Sequence, residues 1–215
     1  MLPGFCSFKK KVKATVFKAI IMSKQARFNR DEVIEKAKNL YWEKGYHATS
    51  MRNLQDVVDM RPGSIYAAFG SKDNLFKEAL NRYAETSAEN LADSMAQETT
   101  VLGGLKRFLR NVIICNKGTT PSGMCMIVKS VAELTQNDSP DLLAQAKGIL
   151  QTIEASFTNI FQQAINNGEI NTQKSPAELA RYFQIQLIGL RTYAQVTNDI
   201  NAVEKFIDDI FEELR

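Results

Sequence analysis

Histidine is nearly missing from this chain and cysteine is scarce. His47 stands alone, and Cys6, Cys115 and Cys125 are the only thiols in 215 residues. One histidine cannot build a multi-histidine metal site. No two cysteines form a C-x-x-C pair, so neither a cysteine-rich zinc site nor a disulfide framework organises the fold. Scattered free thiols suit a reducing cytosol, and a cytoplasmic protein is expected. Five prolines and 11 glycines leave little material for a loop-rich β protein. Long apolar runs are absent as well. Stretches such as Val112-Ile113-Ile114-Cys115 fall far short of the roughly 18 residues that a membrane span needs. There is no phosphate-cradling glycine motif and no histidine-bearing catalytic constellation, which argues against an enzyme. Ser7-Phe8-Lys9-Lys10 fits the S-x-x-K pattern of some acyl enzymes but has no partner motifs. No cofactor and no metal are expected.

Charge of one sign is also in short supply. The 27 basic and 24 acidic residues leave a formal charge of +3, which alone does not point to nucleic acid. The total hides an asymmetry. Residues 1–22 hold five lysines and no acid, residues 23–86 hold 11 basic and 9 acidic groups, and residues 87–215 hold 11 basic and 15 acidic groups. A basic tail and a mildly basic first part thus precede an acidic body, the sign pattern of a nucleic-acid-binding head. The tail has two readings. Residues 1–28 form a flexible basic extension, or Met22 is the natural start and the first 21 residues are an over-called reading frame. A signal peptide is disfavoured, because Lys18 interrupts the apolar run and no small-residue cleavage site follows.

What the sequence does have is helical periodicity, almost everywhere after residue 28. Apolar residues make up 44% and charged residues 24%, an ordinary globular balance over a length that encloses a sizeable core. Asn29 with Glu32 reads as a capping box, followed by a stripe of Val33, Ile34, Ala37, Leu40 and Tyr41 that Gly45 ends. Ser50 caps a short second helix with Leu54, Val57 and Val58. Pro62 opens a third with Ile65 and Phe69, and Gly70 stops it. Ser71 then caps a fourth. Longer helices follow: one begins near Gly103-Gly104, another at Ser139-Pro140-Asp141 and runs to Gly168. Ser175-Pro176-Ala177-Glu178 is a strong start signal for the next, and Asn201 with Glu204 starts the last. The expected architecture is all-α, about nine helices. A three-helix head over residues 29–72 precedes a helical bundle over residues 73–215.

Within the head, the second and third helices are joined by about four residues, Asp59 to Pro62, as a helix-turn-helix requires. Asp59 stands where a glycine is common, and aspartate tolerates the left-handed conformation of such a turn. Spacing alone leaves a generic three-helix bundle equally open.

The residues themselves add more. Tyr41-Trp42-Glu43-Lys44-Gly45-Tyr46-His47-Ala48-Thr49-Ser50-Met51-Arg52, followed by Pro62-Gly63-Ser64-Ile65-Tyr66-Ala67-Ala68-Phe69-Gly70-Ser71-Lys72-Asp73-Asn74-Leu75-Phe76, resembles a TetR-type (tetracycline-repressor-like) regulator over roughly residues 28–80. Asp59 and Pro62 depart from the usual pattern, so base preference does not carry over. The resemblance implies a ligand-responsive transcriptional regulator of double-stranded DNA, read here as a repressor. It implies phosphate-contact roles for Tyr66 and Lys72. Physical reasoning adds Thr49, Ser50 and Arg52 at the start of the second helix as backbone grips. Gly63 removes bulk at the recognition-helix N-terminus, beside Pro62, and Ser64 offers a donor there. Arg61 is the candidate for bidentate reading of guanine, and Ala67 for apolar contact with a thymine methyl.

The resemblance also implies a homodimer and an effector pocket in the body. Phe183, Leu187, Leu190, Phe206, Ile210 and Phe211 are the interface candidates. Two-fold pairing sets recognition helices about 34–36 Å apart on a pseudo-palindromic operator. Phe108, Cys115, Met124, Cys125, Met126, Phe157, Phe161 and Tyr193 are the pocket candidates, suited to a hydrophobic or aromatic effector. Cys115 and Cys125 also permit thiol sensing. The alternatives are a helical protein-interaction module and a small-molecule-binding enzyme without DNA binding.

Overall fold

A computed structural model of the chain describes residues 29–214. The expectations placed on residues 1–28 (the basic extension, the alternative start at Met22 and the serine–lysine pattern) lie outside the described residues. Among these, nine α-helices and no strand are found. They are α1 (Arg30–Lys44), α2 (Met51–Val58), α3 (Pro62–Phe69), α4 (Lys72–Ala96), α5 (Val101–Arg110), α6 (Met126–Glu133), α7 (Pro140–Asn166), α8 (Pro176–Val196) and α9 (Ile200–Glu213). The all-α expectation holds. No helix among the described residues is long and apolar enough to cross a membrane.

The local signals act as expected at most helix ends. Asn29 accepts from the backbone N–H of Asp31 at 3.0 Å and of Glu32 at 3.4 Å, the cap half of the expected box, while the Glu32 carboxylate pairs with Lys36. Ser175 and Glu178 form a reciprocal capping box. Asp59 closes α2 at φ 53°, ψ 46°, and is the one non-glycine residue with positive φ among the described residues. Two details differ. The last helix starts at Ile200 with Asp199 as its cap, because the Asp199 carboxylate accepts from Ala202 N at 3.0 Å. Behind α5, residues Asn111–Cys115 widen into a π-helical turn closed by Asn116 N donating to Asn111 O at 3.0 Å. Apolar periodicity does not distinguish that turn from a continuing α-helix.

Two apolar cores stack along the molecule. The first fills α1 to α4 and continues into Met126, Ile127, Leu142, Leu143 and Ala146 of α6 and α7. Tyr41 and Phe76 meet edge-on there, with ring centroids 4.9 Å apart. The second is built by α5, the π turn, the later part of α7, α8 and α9. Ile153 on α7 packs against both. Five phenylalanines dominate the second core: Phe108, Phe157, Phe161, Phe183 and Phe211. Phe183 is fully buried and lies 4.9, 5.8 and 6.1 Å from Phe157, Phe161 and Phe211. Phe183→Ala is therefore expected to destabilise the protein by about 3–5 kcal/mol. Urea unfolding followed by circular dichroism measures this, and a loss under 1 kcal/mol refutes it.

Candidate nucleic-acid interface and ligand cavity

α3 divides cleanly. Ile65 and Phe69, four residues apart, are buried against the head core. Arg61, Pro62, Gly63, Ser64, Tyr66 and Ala67 are all exposed, Tyr66 at 48%. Arg61 is the N-cap residue, and its side chain makes no cap hydrogen bond. A Cβ built on Gly63 meets nothing within 4 Å, so the fold itself does not require glycine there. Ser50 and Arg52 on the preceding helix are exposed too. The Ser50 hydroxyl caps α2 by accepting from Asn53 N at 3.1 Å, and Asn53 Oδ1 accepts in turn from Ser50 N at 3.0 Å.

Two of the expected DNA-binding side chains are engaged elsewhere. Thr49 is fully buried, and its hydroxyl donates to Gly45 O at 2.6 Å. Its hydroxyl braces the α1–α2 turn and is not free for the DNA-backbone contact expected of it, a correction to that role. The Lys72 ammonium donates to Tyr46 O at 2.8 Å and lies 4.1 Å from the Tyr46 ring centroid. Burial lowers its pKa, with Asp73 and Glu133 opposing that shift. Its side chain ties α4 to the α1–α2 turn.

The head is also tied to the body. Glu133, at the end of α6, accepts from the backbone N–H groups of Tyr46 at 3.0 Å and His47 at 2.6 Å. Lys129, one turn earlier, donates to Trp42 O at 2.7 Å and Glu43 O at 3.1 Å. Trp42 Nε1 donates to Met124 O at 2.6 Å, just before α6.

The other side of α6 faces a cavity of about 120 Å³ between α4, α7 and α8. Ala84, Ala88, Ile127, Ile153, Phe157 and Ile188 supply apolar wall. Tyr83, Gln184 and Arg191 supply its main polar groups. Burial pushes the Tyr83 hydroxyl pKa well above its ordinary value, and the neighbouring Arg191 opposes that shift. Tyr83 stays a neutral phenol that accepts from Arg191 Nη1 at 3.0 Å.

The family model described as "Bacterial regulatory proteins, tetR family" matches residues 33–79, the head just described. The model described as "Tetracyclin repressor-like, C-terminal domain" matches residues 102–210 and so spans half of the chain. The chain belongs to the TetR family. The HTH-type transcriptional repressor ComR of Escherichia coli (strain K12) is 27% identical over 170 residues, covering 78% of this chain and 80% of ComR. The uncharacterized HTH-type transcriptional regulator YezE of Bacillus subtilis (strain 168) is 23% identical over 188 residues, covering 87% of this chain and 96% of YezE. Among solved structures, the TetR family regulator CifR, as a cysteine mutant complexed with 26-bp double-strand operator DNA, superposes with a TM-score of 0.78. It is 23% identical and the match covers 88% of this chain and 98% of that one, a likeness of fold.

As a TetR-family chain, it redistributes the expected pocket residues. Phe108, Cys125 and Phe157 line the cavity. Cys115 is exposed at the end of the π turn and faces an outer groove. Met124 lies in the loop before α6 and Met126 is buried in the head-side core. Phe161 belongs to the aromatic core, and Tyr193 is exposed beside Phe206, ring centroids 6.0 Å apart. None of these five lines the cavity. The interface candidates separate in the same way. Phe183, Leu190, Ile210 and Phe211 are buried within this one chain, and Leu187 lines the cavity. Phe206 alone of the six is exposed. Glu133, Lys129, Gln184 and Arg191 were not foreseen. For the last two the spacing carried a signal, since Gln184, Ile188 and Arg191 form an i, i+4, i+7 row on α8.

Proposed function

We propose that this chain is a homodimeric, sequence-specific DNA-binding repressor, released from a pseudo-palindromic operator by a small-molecule effector. The single observation that carries the reading is Gly63. A glycine in an exposed helix costs about 1 kcal/mol against alanine, and among the described residues nothing occupies the space beside it. Close approach of a DNA backbone or base edge to the α3 N-terminus gives that glycine a purpose. Arg61, Ser64, Tyr66 and Ala67 surround it as base and phosphate contacts, with Ser50 and Arg52 at the flank. Residues 29–72 act as the head, and residues 73–215 bind the effector and dimerise. The dimer face is the exposed apolar row of Ile185, Tyr193, Val196 and Phe206 on α8 and α9, the four being 62, 43, 81 and 49% exposed. Gly189 between them leaves open space for a second copy's helix. Such a regulator works in the cytoplasm, where the DNA is.

The test is selection of a preferred duplex from a random pool, then band-shift titration at moderate salt. Arg61→Ala is expected to cost about 1–3 kcal/mol and to relax preference at one base position. Tyr66→Phe weakens all sequences alike, as loss of a phosphate contact does. Lys72→Ala is not a clean probe, because its ammonium holds the α1–α2 turn. A pool that yields no preferred sequence overturns the reading.

A further inference from the structure

The cavity carries two unmatched groups. Gln184 Oε1 is buried and has no hydrogen-bond partner. Its Nε2 donates to Leu150 O at 3.4 Å, and both residues line the cavity. A buried acceptor of this kind calls for a donor.

Arg191 is the second. Among the described residues it is the only charged side chain lining the cavity, and it also borders a second hollow, where its guanidinium carbon lies 5.8 Å from the Trp42 ring centroid. Its guanidinium donates to Gly123 O at 2.8 Å and to the Tyr83 hydroxyl, both neutral. Among the described residues it forms no ion pair. Residues 1–28 contain no acidic residue that would supply one. A half-buried guanidinium has five N–H donors in a planar fork, and two here have partners. A carboxylate matches the open side of that fork in shape and charge.

Size and spacing restrict the ligand further. About 120 Å³ is somewhat below the roughly 150 Å³ of an apolar cavity that holds one benzene ring, so a ring with two polar substituents enters only as the wall yields. Gln184 and Arg191 are seven residues apart on α8, about 10 Å along the same helix face. Ile188 lies between them on α8, and Phe157 adds apolar wall to the same cavity.

We propose that the cavity takes a small hydroxylated aromatic carboxylate, its acid on Arg191 and its hydroxyl donating to Gln184 Oε1 at the opposite end of the ring. The assignment rests on the effector reading above for its purpose and on these two residues for its chemistry.

Calorimetric titration of the full chain without DNA tests it, with 4-hydroxybenzoate, benzoate, phenol and methyl 4-hydroxybenzoate as probes. The hydroxy acid is expected to bind at least tenfold more tightly than each of the other three. Gln184→Leu brings 4-hydroxybenzoate and benzoate to within threefold of one another. Arg191→Gln does the same for the acid and its methyl ester, whereas Arg191→Lys, which keeps the charge, retains a preference for the acid. Melting curves exclude variants that fail to fold, and Gln184→Leu with the four probes stands without them. The proposal is overturned if the ester binds the parent as well as the acid does, if Gln184→Leu keeps the hydroxyl preference, or if no probe binds at millimolar concentration. Binding as described with operator affinity unchanged supports the ligand class and instead removes the release reading.

Discussion

Gly63→Leu is expected to weaken operator binding at least a hundredfold, about 2.7 kcal/mol, while leaving the melting temperature equal or higher. The two effects have separate causes. In the free protein a side chain at residue 63 enters open space, and leucine favours a helix over glycine by close to 1 kcal/mol. On DNA the same side chain stands between the α3 N-terminus and the groove, and the helix can no longer approach. Gly63→Ala adds one methyl group and loses about tenfold. Band-shift titration on the selected operator, beside a melting curve, measures both quantities. Tight binding by Gly63→Leu would show that α3 does not enter the groove through its N-terminus. Gly45 makes the contrast clear. Its φ is +86° and a Cβ there falls 2.6 Å from a Glu133 carboxylate oxygen, so that glycine is demanded by the fold.

The same contrast explains what was legible in the sequence. Asp59, Ser71 and Ser175 act on their own backbone or on that of residues two or three away, so their roles are written locally. The head was legible for that reason. Phe183 and Phe206 both lie on apolar faces of α8 and α9, and periodicity gives them equal claim to a dimer face. Only the position of α7 decides that Phe183 turns inward onto Phe157 while Phe206 stays outside. Thr49 failed in a similar way. A hydroxyl at a helix start reads as a phosphate donor, but the tight turn at Gly45 captures it first. Cys115 was misassigned because a π-helical turn shifts the facing of the residues within it. Distances along the chain of 86 and 87 residues separate Glu133 from His47 and Tyr46, beyond the reach of any local pattern.

That long-range link leads to the second large expected effect. α6 is eight residues long and works on two sides. Ile127 and Val128 touch the cavity, while Lys129 and Glu133 hold the C-terminal end of α1 and the turn after it. A ligand that displaces Ile127 moves the same rigid helix that carries Glu133, and the α1–α2 turn must follow or lose both hydrogen bonds. Ligand can change operator affinity only through a difference between two such arrangements. In the parent, a bound effector is expected to lower operator affinity at least tenfold, within the range of 5–150-fold usual for coupled sites. In the double variant Lys129→Ala, Glu133→Ala the change falls below threefold, while calorimetric affinity for the effector stays within threefold of the parent. The backbone N–H groups of Tyr46 and His47 then turn to solvent, at a cost in stability of about 1 kcal/mol. Band-shift titrations with and without effector read the coupling directly. A full effector response in the double variant would route the signal through α4 alone, whose Tyr83 touches the cavity and whose Lys72 holds the same turn from the other side.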